Sequence, residues 1–297
     1  MPTIQPPAAP AQQYLPRPAG RIAYTVAGAG PLVVLVPGMG DLASTWRDVA
    51  GPLAAAGHRV AVTDLRGHGG SDTTFATHGD AATGADLLAL VEHLDAGPAV
   101  LAGNSMGASS AAWAAAERPD LVAGLVLVAP FLRERVTHPA VRLATRTLYR
   151  ALFARPWGAR AWAAYYRGPL NRGTHAPWLD EHVADVRAAL RRPGYLRSLR
   201  QLAAQLDHRQ VEVRLAEITA PAVVLIGDRD PDYPDPAAEL AWAAAAIGAR
   251  PVAVPDAAHY PQHQAPGVVL SAAHQLLATL PRDGARWATP STPGPRA

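Results

Sequence analysis

Along the first 130 residues, short apolar runs alternate with longer segments of helical spacing. Residues 21–27 alternate enough for a strand, and residues 32–36, LVVLV, are continuously apolar and mostly β-branched. Such a run suits a strand covered on both faces. Residues 45–56 predict a helix, with Ser44 as a candidate N-cap and Pro52 as an interior interruption. Residues 59–63 predict the next strand. In residues 83–94, Leu87, Leu90, Val91 and Leu94 then recur at helical spacing. Residues 99–102 and 121–128 predict two more strands, with a helix of small residues between them at 108–116. Strands and helices alternating across short loops predict an α/β fold with a mostly parallel sheet covered on both faces.

The pattern changes at Pro130. From residue 131 to residue 217 no strand is predicted. The segment reads as helical, rich in arginine, and aromatic at Tyr149, Phe153, Trp157, Trp162, Tyr165, Tyr166, Trp178 and Tyr195. Prolines at 139, 156, 169, 177 and 193 divide it into short helices. The aromatics are expected mainly to pack these helices, with a minority lining a pocket, and the arginines mainly to form a solvated face. A buried strand resumes at 222–226, followed by a helix at 236–247, a strand at 251–254 and a closing helix at 262–279. The expected organisation is an α/β core over 20–130 and 218–281, interrupted by a helical cap over 131–217. A loose arm at 1–19 and a disordered tail at 282–297, both rich in proline, flank it. Ligands of open α/β sheets bind at the carboxyl ends of the strands, and an insertion after a strand sits over that edge.

With 49% apolar residues in a chain of 297, a sizeable core can be buried. There is no cysteine, which excludes disulfides and thiolate metal sites. All 27 basic residues are arginine and the net charge is +3. Without a basic stripe interleaved with aromatics, that charge does not indicate nucleic-acid binding. The first residues lack a basic start followed by an apolar run, and no window approaches 18 uncharged apolar residues. A cytoplasmic protein with no membrane span is therefore expected, with a small molecule as its partner.

The chemistry centres on Gly103-Asn104-Ser105-Met106-Gly107, which fits G-x-S-x-G between a predicted strand and a predicted helix. A serine in such a turn has its hydroxyl held clear of the sheet. The glycines let strand and helix approach, and the helix directs its positive end to the same spot. A serine hydroxyl needs a base, and the base needs an orienting acid. Of the 11 histidines, His259 follows the last strand by a few residues, where a loop returns over the sheet. His263 is its competitor. No glutamate lies between the two histidines as a zinc-protease helix would need, so no metal is expected. Four acids lie between 228 and 235. Asp230, held extended by Pro231, is the first choice of acid, and Asp232 the second. Met106 and Met39 are the expected oxyanion donors through their backbone N–H groups.

In this order the motifs PGMGD, DLRGHGGSD, GNSMGA, GDRDP and DAAHYP resemble those of the capped α/β hydrolases, over residues 21–280. That group includes serine esterases, lactonases, C–C bond hydrolases of meta-cleavage products and cofactor-free haloperoxidases. The resemblance implies an α/β-hydrolase fold with a helical cap and a catalytic triad of Ser105, Asp230 and His259. It implies an oxyanion hole at Met39 and Met106, hydrolysis of a small-molecule ester or related acyl bond, and no cofactor. C–C bond hydrolysis and perhydrolysis use the same triad, and some members of the fold are receptors that turn nothing over. Three positions depart from the pattern. Pro37 stands where histidine is usual, so the oxyanion loop is expected to be held by other groups. Ala258 and Ala108 each replace a common glycine. The serine nucleophile separates the chain from haloalkane dehalogenases and epoxide hydrolases, which use aspartate there.

Overall fold

The computed structural model describes residues 10–134 and 138–288. An eight-stranded sheet forms its centre, in the order β1-β2-β4-β3-β5-β6-β7-β8. The strands are β1 (Gln13–Arg17), β2 (Gly20–Ala27), β3 (Leu32–Val36), β4 (Arg59–Thr63), β5 (Ala99–Asn104), β6 (Val122–Val128), β7 (Ala222–Gly227) and β8 (Arg250–Val254). From β4 to β8 neighbouring strands run parallel, while β1 and β2 add an antiparallel edge. The fold is that of an α/β hydrolase.

Alternation along the strands sorts side chains between two cores. Leu32, Val34 and Val36 join Leu101, Leu125 and Val224 on one face. Helices α2 (Asp80–Leu94) and α3 (Met106–Glu117) cover that face. Val33 and Leu35 point to the other, with Val100, Val126 and Leu225. That side is closed by α1 (Arg47–Ala55) and by α11 (Pro266–Thr279), which follows the single-turn α10 (Pro261–Gln264). Helix α9 (Pro236–Ile247) packs beside β7 and β8.

Between β6 and β7 lie α4 (Pro139–Leu152), α5 (Gly158–Arg167), α6 (Leu179–Arg191), α7 (Tyr195–Gln205) and α8 (Arg209–Glu212), with no strand among the described residues. They share a core of their own, including Phe153, Trp162, Tyr166 and Leu199, which reaches Tyr260 beside the candidate base.

Four expectations need correction. The arm at 1–19 is not loose throughout, because 13–17 form β1 and pair with β2. Pro16 is tolerated there because β1 is an edge strand. Residues 1–9 lie outside the described part. The tail is ordered as far as residue 288: β9 (Arg282–Asp283) and β10 (Arg286–Trp287) form a hairpin, and the Trp287 ring is buried against His58. Residues 289–297 lie outside the described part. The helix expected at 45–56 is split, with a 3-10 turn at Ala43–Trp46 before α1, and Ser44 sits inside that turn rather than capping a helix. The closing helix is broken at Ala265, because Pro266 has no N–H to continue α10 and instead opens α11.

Candidate active site

Ser105 joins β5 to α3 with φ 55° and ψ −125°. A β-carbon makes this left-handed conformation strained, and strain of that kind marks functional sites. Its neighbours explain how it is imposed. A β-carbon on Gly103 would stand 2.4 Å from the Gly107 carbonyl carbon, and one on Gly107 would stand 2.4 Å from the Pro37 oxygen. Only glycine permits so close an approach of helix, strand and loop. The Ser105 N–H donates to the Val128 oxygen at 2.8 Å. Its side chain occupies the N-cap position of α3 without making a capping hydrogen bond. The hydroxyl is therefore left for other work.

Beyond β7, Asp230 lies buried in the loop and beyond β8 His259 lies buried in the next. Asp230 Oδ2 and His259 Nδ1 are 2.8 Å apart. With this bond Nδ1–H is fixed as the donor and Nε2 is the nitrogen available for proton transfer. Asp232 Oδ2 stands 3.6 Å from the same Nδ1, Asp232 Oδ1 accepts from the Tyr165 hydroxyl at 2.9 Å, and the Asp232 N–H donates to Asp230 Oδ1. Burial disfavours charge on the ring, but Asp230 and then Asp232 outweigh it and raise the His259 pKa to about 9. Asn104 donates to the His259 carbonyl oxygen at 2.9 Å, so the strand bearing the serine also fixes the histidine backbone.

Ser105, Met39, Met106 and His259 line one cavity of about 660 Å³, a size suited to a small organic molecule. No hydrogen bond joins the Ser105 and His259 side chains; such bonds are often long before substrate binds. Met106 is the first residue of α3, where N–H groups lack intrahelical partners. The Met39 N–H makes no hydrogen bond to a described residue, while its neighbour Gly40 donates to His68 Nε2 at 3.0 Å.

His263, the competing base, lies elsewhere. Its Nδ1 faces the Thr45 hydroxyl at 3.1 Å and its Nε2 the Asn171 oxygen at 2.7 Å. No carboxylate orients it, and burial lowers its pKa to about 3. Among the described residues, three metal-capable side chains gather at Asp230, Asp232 and His259. There the Asp230 hydrogen bond already occupies Nδ1.

Several residues with no assigned role in the sequence hold the loop after β3. His68, which reads as a turn residue, accepts from Gly40 and keeps its other nitrogen on the Arg66 oxygen at 3.0 Å. Trp162 Nε1 donates to the Gly40 oxygen at 2.8 Å, and His182 from α6 meets Asp41 at 2.7 Å. Pro37 therefore needs no imidazole of its own. The only signal for these contacts was the histidine within DLRGHGGSD; the partners on α5 and α6 are more than a hundred residues away. Five of the nine aromatics in residues 131–217, Phe131, Tyr149, Phe153, Trp162 and Tyr165, line the cavity, a larger share than expected.

With a strained serine turn between strand and helix, an Asp–His pair and a pinned loop at the carboxyl edge of a parallel sheet, the site has the form of a hydrolase centre. The α/β hydrolase fold family matches residues 31–266, and the chain belongs to that family. It is 38% identical over 98 residues to an epoxide hydrolase of Caballeronia sordidicola, covering 32% of this chain and 30% of that protein. In structure it is similar to an esterase from Thermogutta terrifontis, with TM-score 0.72, 24% identity and coverage of 90% of this chain and 98% of the other. It is also similar to the enol-lactonase of Burkholderia xenovorans LB400, with TM-score 0.72, 22% identity and coverage of 90% and 100%. The matches span about a third of the length of the curated relatives.

Proposed function

We propose that the protein is a serine hydrolase that cleaves a small-molecule ester or related acyl bond through an acyl-enzyme. The observation that carries this reading is the 2.8 Å Asp230–His259 pair lining, through its imidazole, the cavity that Ser105 also lines. Ser105 Oγ attacks the carbonyl carbon and His259 Nε2 takes its proton. Asp230 holds the tautomer and stabilises the imidazolium. The N–H groups of Met39 and Met106 receive the oxyanion. His259 then returns the proton to the leaving alcohol, and water, deprotonated by the same ring, releases the acid. The helices between β6 and β7 act as a cap whose aromatics form the acyl pocket.

The serine speaks against epoxide opening, which in the resembling enzymes starts from an aspartate at the elbow. Short p-nitrophenyl esters test the proposal. The protein should turn them over, and Ser105→Ala should lower kcat by about 10⁶-fold, the scale of loss when a triad nucleophile is removed. Retention of most activity by that variant would refute it.

A further inference from the structure

Helix α4 closes the cavity with one face and presents the other to solvent. Thr145, Tyr149 and Leu152 line the cavity. On the outer side Val141, Leu143, Ala144, Leu148 and Ala151 are all exposed. Leu143 is 68% and Leu148 62% accessible. The Thr147 hydroxyl beside them donates back to the Leu143 oxygen at 2.9 Å, so it does not make the strip polar. Trp157, between α4 and α5, is 53% accessible. Five of the eight large hydrophobic side chains exposed among the described residues thus fall within 141–157. Single exposed apolar residues are ordinary, but a contiguous strip marks a surface that something covers.

The charges beside the strip have one sign. Residues 138–179 hold seven arginines and no aspartate or glutamate. A cleft of about 630 Å³ between α4 and α7 is lined by Arg150, Arg197, Arg200, Gln201, Ala204 and Gln205, with no carboxylate. Its three arginines make no hydrogen bond or ion pair with a described residue. Elsewhere on the surface Arg118, Arg167, Arg209 and Arg214 each hold a carboxylate. Guanidinium groups left without partners around one cleft favour an anionic occupant.

The occupant has to satisfy both features. A second copy laid on this face would bring the same arginines against each other. A folded partner would need a groove to receive a convex helix. An anionic lipid surface needs neither, because it yields to apolar side chains and offers phosphates at their flanks. We propose that the outer face of α4 and the arginine cleft beside it dock the protein on an anionic lipid surface. Leu143, Leu148 and their neighbours enter the acyl boundary, and Arg150, Arg197 and Arg200 meet the headgroups. The docking does not depend on the reading of Ser105.

Co-sedimentation of the full chain with vesicles tests this. One set contains phosphatidylcholine and phosphatidylglycerol in equal parts, the other phosphatidylcholine alone. The protein should sediment with the first set and not with the second, and added salt should weaken the binding. Arg150→Gln/Arg197→Gln/Arg200→Gln should weaken it at least about tenfold, since each arginine near such a surface contributes roughly fivefold. Leu143→Ser/Leu148→Ser should weaken it at least about tenfold as well, through lost apolar burial. Leu143 and Leu148 are exposed, so that variant should keep the Tm of the unmodified protein. Failure to sediment with the anionic vesicles, equal binding to both sets, or binding unchanged in either variant would overturn the proposal. So would a dimer in analytical ultracentrifugation that Leu143→Ser/Leu148→Ser dissociates, because a second copy would then cover the strip.

Discussion

Asp232 stands 3.6 Å from the ring that accepts the serine proton in the proposed mechanism, and its charge works against that task. With the His259 pKa raised to about 9, about one ring in a hundred is neutral at pH 7. A general base acts only in its neutral form, so kcat/KM for ester hydrolysis should climb with pH and level off near 9. Asp232→Asn should move this limb down by roughly one unit, the lower end of what a nearby opposite charge does. A pH profile of the two proteins checks it; coincident limbs would mean that Asp232 does not act on the base. The positions of Ser105 and Asp230 behind strands were legible from the fully buried apolar runs of β5 and β7, and that of His259 from the shorter run at 251–254. Spacing did not choose between Asp230 and Asp232, since both follow the same strand within a few residues. Of the two, Asp230 lies nearer to Nδ1, at 2.8 Å against 3.6 Å. His182 was not legible at all, because its partner Asp41 is 141 residues away.

At the scale of the element, the loop after β3 is held by groups from three other segments. His68 grips the Gly40 N–H, Trp162 grips its oxygen and His182 grips Asp41. The Met39 N–H can hold an oxyanion only if this loop stays still. Trp162→Phe keeps most of the ring packing against Phe153 and removes one donor. It should lower kcat up to about tenfold, the worth of one hydrogen bond, with little change in KM for a short ester. A larger effect on KM than on kcat would show that Trp162 shapes the pocket rather than the loop. The buried strands could be read from LVVLV and its like. Strand β1 could not, since QYLPR carries a proline and a polar majority and is a strand only because β2 lies beside it.

For the whole molecule, the last described residues close the core. Trp287 is buried, stacks on His58 at 5.7 Å and donates from Nε1 to the Leu32 oxygen at 2.9 Å. The composition after Pro281 suggested a tail, because one tryptophan among glycine, proline and threonine carries no periodicity. Trp287→Ala should lower unfolding stability by about 3–5 kcal/mol in urea titrations, with ester turnover per folded molecule unchanged. Acid should destabilise the fold through His263. Its pKa is lowered to about 3 from 6.5, so its contribution is complete above pH 6.5 and is lost as pH falls towards 3. His263→Gln should flatten the fall of Tm below pH 6.5.

The central claim is that Ser105 is made nucleophilic by its surroundings. Intact-mass and peptide mass spectrometry after reaction with a fluorophosphonate measures that directly. One adduct per chain, on the peptide containing Ser105 and lost in His259→Ala, is the result expected. Failure of the folded protein to react, or an adduct on another serine, would contradict it.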